Sequence, residues 1–158
     1  MIKHLPVFIS SVLIAASSLA NANCIDNAAL TSHDYKFTDN LNGTVTQKGT
    51  GLMWSGCNYG QTWDLALNRC IGNTYTVNWL EALEYANNAT FAGYDDWRLP
   101  NVVEMSSIME LTCSHPALKG LPFLSYPISD GYFYWYSYWT GTPYVKDPKQ
   151  AMAVNNMD

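Results

Sequence analysis

Hydrophobic and polar positions along this chain predict short strands on both sides of a helical middle. Thr and Val alternate from Thr44 to Gln47, which indicates a strand. The turn Lys48-Gly49-Thr50-Gly51 separates it from a second strand, Leu52-Met53-Trp54, so the pair predicts a β-hairpin. Later strands are predicted at Tyr132 to Thr140, which is dense in aromatic residues, and at Ala151 to Asn155.

Two helices are predicted in the middle of the chain, each with a capping box at its start. Asn78 is the N-cap of the first helix, and Glu81 lies at the third helical position, where its side chain can accept from the N-cap backbone. Asn101 and Glu104 repeat this arrangement for the second helix. Pro100 prevents one continuous helix, so the two helices should cross at an angle. The faces expected to be buried are Trp79, Ala82, Leu83, Ala86 and Thr90 in the first helix, and Met105, Ile108, Met109 and Thr112 in the second.

The first 22 residues have the pattern of an export signal. A short basic start containing Lys3 precedes an apolar run of about a dozen residues, which is too short to span a bilayer. Ala20-Asn21-Ala22 fits the small-x-small pattern that signal peptidase cleaves. We therefore expect residues 1–22 to be a signal peptide, 23–36 a loosely held lead-in and 37–158 one domain. The mature protein would be secreted, periplasmic or on the cell surface, without a membrane span.

Net charge limits the partners of the mature chain. Cleavage after Ala22 would leave 7 Lys and Arg residues against 13 Asp and Glu residues, a net charge of −6. No run of basic residues remains, so nucleic acid is not expected as a partner.

All four cysteines, Cys24, Cys57, Cys70 and Cys113, lie in the expected mature chain. An even number in an exported protein predicts two disulfides, which can pair in three ways. We favour Cys57–Cys70, which bracket one local loop, and Cys24–Cys113, which would attach the N-terminus to the end of the second helix. Loop-closure entropy assigns each disulfide about 3 to 4.5 kcal/mol. A zinc site is the alternative, but no Cys-x-x-Cys is present and the histidines are scattered.

Residues 93–101, GYDDWRLPN, concentrate charged and aromatic side chains between the two helices. Arg98 follows Asp95 and Asp96 and can pair with a carboxylate in bidentate fashion. We expect a buried structural ion pair that orients the turn, with Trp97 and Leu99 pointing into the core. A ligand-gripping site and a catalytic acid–base pair are alternatives, but no histidine or activated nucleophile accompanies these residues. The structural motif comprises Asp95, Asp96, Trp97, Arg98, Pro100 and Asn101.

Asp39 and Asn42 belong to a weak calcium-loop pattern. In Asp39-Asn40-Leu41-Asn42-Gly43, oxygen-bearing side chains precede a glycine, but the acidic residue expected at the far end of a calcium loop is missing. A turn that leads into the hairpin is the favoured interpretation. No metal and no other cofactor is expected.

The predicted strand rich in aromatic residues has more rings than one core face can hold. Seven of the eight residues from Tyr132 to Trp139 are aromatic, and alternate residues of a strand face opposite sides. One face should therefore be exposed or covered by a partner, unless both faces are buried. We expect Tyr134, Tyr136 and Tyr138 on the outer face. With Tyr144 they are the candidate ligand-binding residues, since exposed rings with a polar edge suit sugars and proteins.

Several motifs taken together resemble one known family. The segments GTVTQKGTGLMW, NWLEALEYAN, FAGYDDWRLPN, YWTGTPY and AMAVN, in this order, resemble the Lcl C-terminal domain family, named for a bacterial collagen-like adhesin. The resemblance covers nearly the whole mature chain from the region of Phe37. It implies an α+β fold similar to C-type lectins, with two helices packed on small, mostly antiparallel β-sheets and stapled by disulfides.

Members of this family continue past the AMAVN-like strand with a turn and a final strand. This sequence stops at Asp158, so we expect the domain to lack its last strand and to have an open sheet edge. Such an edge invites pairing with another chain, which makes a homo-oligomer one expected state.

The resemblance and the export signal together imply a secreted or cell-envelope binding module. It would be adhesive, with an extracellular glycan or protein as ligand and no catalysis. One alternative is an enzyme similar to formylglycine-generating proteins, because RLP followed by a helix with an internal acid also resembles those proteins. Another is an envelope protein of purely structural role. The family's adhesin binds sulfated polysaccharides, which the resemblance extends to this chain and the negative net charge opposes.

Overall fold

The computed structural model describes residues 23–29, 31, 36–114 and 137–155. These residues form two helices and four small antiparallel sheets, which confirms an α+β architecture. The expected signal peptide, residues 1–22, lies outside the described residues. No helix in the described ranges is long and apolar enough to cross a membrane. In chain order the elements are β1 (Asn23–Cys24), β2 (Phe37–Asp39), β3 (Thr44–Gln47), β4 (Met53–Ser55), β5 (Thr62–Asp64), β6 (Arg69–Ile71), α1 (Trp79–Asn88), α2 (Val102–Ser107), β7 (Cys113–Ser114), β8 (Ser137–Tyr144) and β9 (Asp147–Asn155).

The predicted hairpin is present, and it forms two strands of a three-stranded sheet. β3 lies in the middle, paired with β4 on one side and with β2 on the other. Val45 of this central strand is completely buried and faces Trp54 of β4. The sequence did not predict β2, because three residues are too few for an alternating pattern to be recognised.

Both helices begin where their capping boxes predicted. The Asn78 side chain accepts from the Glu81 backbone N–H at 3.0 Å, and the Glu81 carboxylate accepts from the Asn78 N–H at 3.0 Å. Asn101 and Glu104 make the same two hydrogen bonds at the start of α2, each at 2.8 Å. These side chains satisfy backbone donors that would otherwise lack a partner at each helix start.

The buried cluster of the fold lies on and just after α2. Met105, Ile108 and Met109 are buried, as predicted from their spacing, although α2 ends at Ser107 and the last two follow it in a turn. Helix α1 contributes its small residues, Ala82 and Ala86. The partly buried residues packed around the α2 cluster are Phe37, Trp54, Tyr138 and Val154.

β8 and β9 form a two-stranded sheet that is attached to the start of α2. The Gly141 N–H donates to the Pro100 carbonyl at 2.8 Å, and the Val102 N–H donates to the Thr142 hydroxyl at 3.0 Å. Register shifts lie around Pro143, which has no N–H to donate to the ladder. The described part of β8 extends past the predicted end at Thr140, and β9 begins before the predicted start at Ala151.

The structure contains the two disulfides that the sequence favoured, Cys24–Cys113 and Cys57–Cys70, and no cysteine is free. Cys24–Cys113 joins β1 to β7, which are paired in register at these two residues. Cys57–Cys70 connects the end of the β4 region to β6. The loop predicted between Cys57 and Cys70 contains a small hairpin, which β5 and β6 form.

Some described residues of the lead-in are attached to the rest of the fold. In addition to β1, Thr31 is fixed by Glu110, a completely buried carboxylate. Its Oε1 accepts from the N–H and the hydroxyl of Thr31, both at 3.0 Å, and from the N–H and the hydroxyl of Thr112 at 3.1 and 2.6 Å. Several donors on one oxygen offset the cost of burying a carboxylate.

Candidate functional site

The tyrosines expected to bind ligand are only partly within the described residues, and one of them faces the core. Tyr134 and Tyr136 lie outside the described residues. Tyr138 is half-buried and packs against the α2 cluster, so its predicted place on the outer face of the strand is wrong. The contact of this strand with α2 determines which of its alternate residues face the core, and the sequence pattern does not show that contact. Tyr144, at the end of β8, is 39% exposed.

Arg98 forms the predicted bidentate ion pair, but with a different carboxylate. Its two terminal nitrogens donate to the two oxygens of Glu104 at 2.7 and 2.8 Å. These hydrogen bonds, with one from the Asn101 N–H, lower the pKa of Glu104 to about 2. The Arg98 side chain is 56% exposed, so the expectation of a buried pair is wrong. Removal of the ion pair should therefore lower the free energy of unfolding by less than removal of a buried pair would.

Asp95 and Asp96 are exposed, and neither carboxylate has a hydrogen bond or an ion pair in the described part of the chain. The indole N–H of Trp97 donates to the Phe91 carbonyl at 3.2 Å and to the Tyr94 carbonyl at 3.1 Å. Rings of these three aromatic residues meet edge to face. The GYDDWRLPN segment is therefore a turn held by Trp97 and by the ion pair at the start of α2.

The side-chain oxygens of the weak calcium pattern are used within the turn between β2 and β3. Asp39 Oδ1 accepts from the Leu41 N–H at 2.8 Å. Asn42 Oδ1 accepts from the N–H and the hydroxyl of Thr44 at 3.1 and 2.6 Å. Within the described ranges, no group of three or more His, Cys, Asp or Glu side chains is arranged to hold a metal ion. The contacts made by Asp39 and Asn42 are those of a turn.

A surface cleft gathers three tyrosines between the loop after β4 and helix α1. The ring centroids of Tyr59 and Tyr85 are 4.1 Å apart, and those of Tyr59 and Tyr75 are 5.8 Å apart. Tyr59, Tyr75 and Tyr85 are 37%, 58% and 45% exposed, so the rings are clustered and still accessible. The cleft has a volume of about 680 Å³. We call it the tyrosine cleft, and its described lining is Tyr59, Tyr75, Thr76, Val77, Glu81, Glu84, Tyr85 and Asn88.

Local covalent and backbone constraints fix Tyr59 and Tyr75 beside each other. Tyr59 follows Cys57, which is bonded to Cys70 across the β5–β6 hairpin. The Tyr75 N–H donates to the Tyr59 carbonyl at 3.0 Å. Gly60, with φ of +88°, lies so close to Tyr75 that a Cβ would be 2.3 Å from its ring. Only glycine suits both the positive φ and this close approach.

Helix α1 supplies the other wall of the cleft. Glu81, Glu84, Tyr85 and Asn88 are spaced by three and four residues, which places them on one helical face. Ala82 and Ala86 are buried, whereas the face with the acids and Tyr85 is exposed.

The tyrosine cleft is acidic. Its described lining contains two glutamates and no Lys, Arg or His, and no ion pair in the described part of the chain involves Glu81 or Glu84. One oxygen of Glu81 accepts from the Asn78 N–H in the capping box. Burial and the neighbouring Tyr59 raise the pKa of the Tyr85 hydroxyl. Tyr85 therefore presents a neutral hydroxyl group at neutral pH beside two carboxylates.

A second, more apolar hollow of about 870 Å³ lies behind the tyrosine cleft. Its described lining includes the buried residues Ala82, Met105 and Ile108, and it shares the three cleft tyrosines. Buried residues form one part of its lining, and the exposed residues Asp96 and Arg98 form another.

Comparison with known proteins gives one family. The Lcl C-terminal domain matches residues 43–158. The chain belongs to this family. Neither the curated proteins nor the solved structures contain a match to the chain.

The part that matches the Lcl C-terminal domain contains the whole tyrosine cleft and both capping boxes. Cys24 and Thr31, which attach the chain before the domain to β7 and Glu110, precede the matched region. The family resemblance inferred from the motifs is thereby confirmed.

Sequence reasoning missed the tyrosine cleft of this Lcl C-terminal domain. One signal was present: Tyr85 lies among Glu81, Glu84 and Asn88 on the polar face of α1, beside the face that contains Ala82 and Ala86. That pattern shows an exposed ring among acids. It does not show that the disulfide-bracketed loop brings Tyr59 and Tyr75 against the same ring.

Proposed function

We propose that this protein is a secreted or cell-envelope binding module with a C-type-lectin-like fold, which holds an extracellular glycan or protein ligand in the tyrosine cleft without catalysis. The observation that carries the proposal is the cluster of three accessible rings, with centroids 4.1 and 5.8 Å apart. Tyrosine presents a flat apolar surface and a polar edge, and such rings are enriched where proteins bind partners.

The rigidity of the cleft supports a binding role. The Cys57–Cys70 disulfide, Gly60 and the hydrogen bond between Tyr75 and Tyr59 hold two of the rings in place before any ligand arrives. A surface that is already ordered loses less entropy on binding than a flexible one. Each ring contact contributes only about 1 kcal/mol, so useful affinity needs several contacts or a homo-oligomer.

Location outside the cytoplasm fits both the covalent structure and the sequence. All four cysteines form disulfides, which persist mainly in oxidising compartments. The export pattern of residues 1–22 predicts the same compartment. An adhesive role requires this location.

The formylglycine-type enzyme is less well supported than binding. That chemistry uses reactive cysteine thiols, and here every cysteine is held in a disulfide. The ion pair of Arg98 with Glu104 also leaves the GYDDWRLPN segment engaged in helix capping and turn structure.

The proposal is tested with Tyr59→Ser combined with Tyr85→Ser. The probes are an array of neutral glycans, sulfated glycans and peptides, screened first with the mature wild-type protein with and without calcium. Loss of two ring contacts should weaken binding to the array ligands by at least about tenfold, at about 1 kcal/mol per ring. Dissociation constants from biolayer interferometry measure the effect.

Tyr144→Ser is the matched control, because Tyr144 is as exposed as Tyr59 but does not line the cleft. It should bind the array ligands like the wild type. The proposal fails if the double variant keeps its melting temperature and also keeps full binding. Loss of binding only in the Tyr144 variant would move the site to the end of β8 and reject the cleft.

A further inference from the structure

We propose that the tyrosine cleft recognises a positively charged side chain, the ammonium of lysine or the guanidinium of arginine, on a basic segment of a partner protein. This inference rests on the proposed function, since it names the ligand chemistry of the same cleft. Three features of the cleft lead to it: the arrangement of its rings, its two carboxylates and the absence of any basic residue from its described lining.

The rings provide the first part of the argument. Tyr59 makes an edge-to-face contact with Tyr75 and a tilted contact with Tyr85, so the three rings do not form one flat platform. Rings at 61° and 52° to each other form an angular surface. A flat sugar face stacks on coplanar or single rings, whereas a compact cation can meet the faces of several angled rings at once.

The carboxylates provide the second part. Glu81 and Glu84 line the same cleft, and Glu84 has no side-chain hydrogen bond in the described part of the chain. Two carboxylates in a described lining that contains no basic residue attract a cation and repel an anion. The chain as a whole carries a formal net charge of −5, which adds to this preference.

Charge therefore selects among the ligands that the rings alone would accept. A sulfated polysaccharide would place its anionic groups next to Glu81 and Glu84, which opposes binding in this cleft. A neutral sugar can donate hydroxyl hydrogen bonds to the carboxylates, but it brings no positive charge to offset theirs. A lysine or arginine side chain satisfies the carboxylates with its donors and covers the tyrosine rings with its apolar stem and its charge.

The test uses the full mature protein and a capped peptide with four lysines spaced by glycines. Its companion probes are the same peptide with every lysine acetylated, and heparin. The wild type should bind the lysine peptide and not bind the acetylated peptide or heparin. Raising the salt concentration to about 1 M should weaken binding, because it screens exposed charges.

The decisive variant is Glu81→Gln combined with Glu84→Gln. Glutamine still completes the capping box, so α1 keeps its start. Removal of two exposed carboxylate partners should weaken lysine-peptide binding by about fivefold or more. Asp26→Asn with Asp95→Asn is the matched control, because it changes the net charge equally at exposed carboxylates that line neither the cleft nor the second hollow. If the double Gln variant is unstable, Glu84→Gln alone replaces it.

The two proposals fail in different ways. Equal weakening in the Gln variant and in the Asn control means that only net charge attracts the peptide, and it overturns this inference. Binding of neutral glycans that is lost in the Tyr59/Tyr85 variant, without lysine-peptide binding, also overturns it but leaves the proposed function standing. If no probe binds in the cleft, both proposals are wrong.

Discussion

Glu104 performs two structural tasks with one carboxylate. Its Oε2 accepts from the Asn101 N–H and from Arg98, and its Oε1 accepts from the other terminal nitrogen of Arg98. The sequence showed the capping task, because it depends on residues three apart in one helix. It did not show the pairing with Arg98, which skips the nearer Asp95 and Asp96. Both aspartates instead lie exposed in the turn.

The depressed pKa of Glu104 predicts a pH-dependent contribution to stability. The pKa falls from 4.5 to about 2 on folding, so the stabilisation is fully present above about pH 5 and is lost as the pH falls towards 2. Glu104→Gln keeps the capping acceptor and removes the charge. At pH 7 this substitution should lower the free energy of unfolding by about 1 kcal/mol, because Arg98 is largely exposed. Thermal melts from pH 7 to pH 2 should show the difference from wild type shrinking.

Arg98→Ala provides the control for this charge effect. In the Arg98→Ala variant, Glu104→Gln should lower the free energy of unfolding at pH 7 by less than it does in the wild type, because the carboxylate has already lost its partner. If the difference in stability between the wild type and the Glu104→Gln variant persisted unchanged at pH 2, it would contradict the ion-pair explanation.

At the scale of elements, the segment from Cys57 to Tyr75 determines the shape of the cleft. Its hairpin is short, and its constraints are a disulfide, a backbone hydrogen bond and glycines with positive φ. The sequence predicted the bracket but not the hairpin, because three-residue strands carry little periodic signal. The position of Tyr75 against Gly60 is a contact between residues fifteen apart, which no local pattern specifies.

Gly60→Ala should disturb the cleft more than it disturbs the rest of the fold. The added Cβ would lie 2.3 Å from Tyr75 and 2.4 Å from the Asn73 carbonyl, so the segment must shift. Gly51→Ala is the matched control, since Gly51 also has a positive φ, of +73°, but has open space around it. We expect Gly51→Ala to lower the free energy of unfolding by about 1 to 2 kcal/mol through backbone strain at a positive φ alone. Gly60→Ala should lower it by more.

Thermal melts and near-ultraviolet circular dichroism of the tyrosines measure this difference. The spectrum should change for Gly60→Ala and stay like wild type for Gly51→Ala. Equal losses in stability with unchanged spectra would show that Tyr75 does not depend on the close approach to Gly60.

At the scale of the whole molecule, the two disulfides have separate tasks. Cys24–Cys113 spans 89 residues and, with Thr31 on Glu110, attaches the lead-in to the end of the helical region. Cys57–Cys70 spans 13 residues and acts locally on the loop that bears Tyr59. Removal of Cys24–Cys113 should therefore affect stability alone, whereas removal of Cys57–Cys70 should also affect ligand binding.

Replacing Cys24 and Cys113 by Ser should cost about 4.5 kcal/mol through lost loop closure, and replacing Cys57 and Cys70 about 3 kcal/mol. Only the second pair should also weaken binding at the tyrosine cleft. Denaturant unfolding and binding of the array ligands measure the two effects. If the Cys24/Cys113 variant, folded at low temperature, lost binding as well, the tasks would not be separate.

The sequence by itself determined the family, both helix starts, the hairpin of β3 and β4 and the favoured disulfide pairing. The helix starts and the hairpin follow from short-range chemistry, because a capping box needs residues three apart and an alternating strand shows its own period. The disulfide pairing was favoured from the even number of cysteines and their positions along the chain, and the family from several motifs in order. Tertiary structure alone decided that Tyr138 faces the α2 cluster, that Arg98 pairs with Glu104 and that Tyr59 and Tyr75 meet Tyr85. The physical reason is that packing between elements determines which face of each strand or helix is covered. A local sequence pattern shows which rings and charges are present but does not determine which of them contact each other.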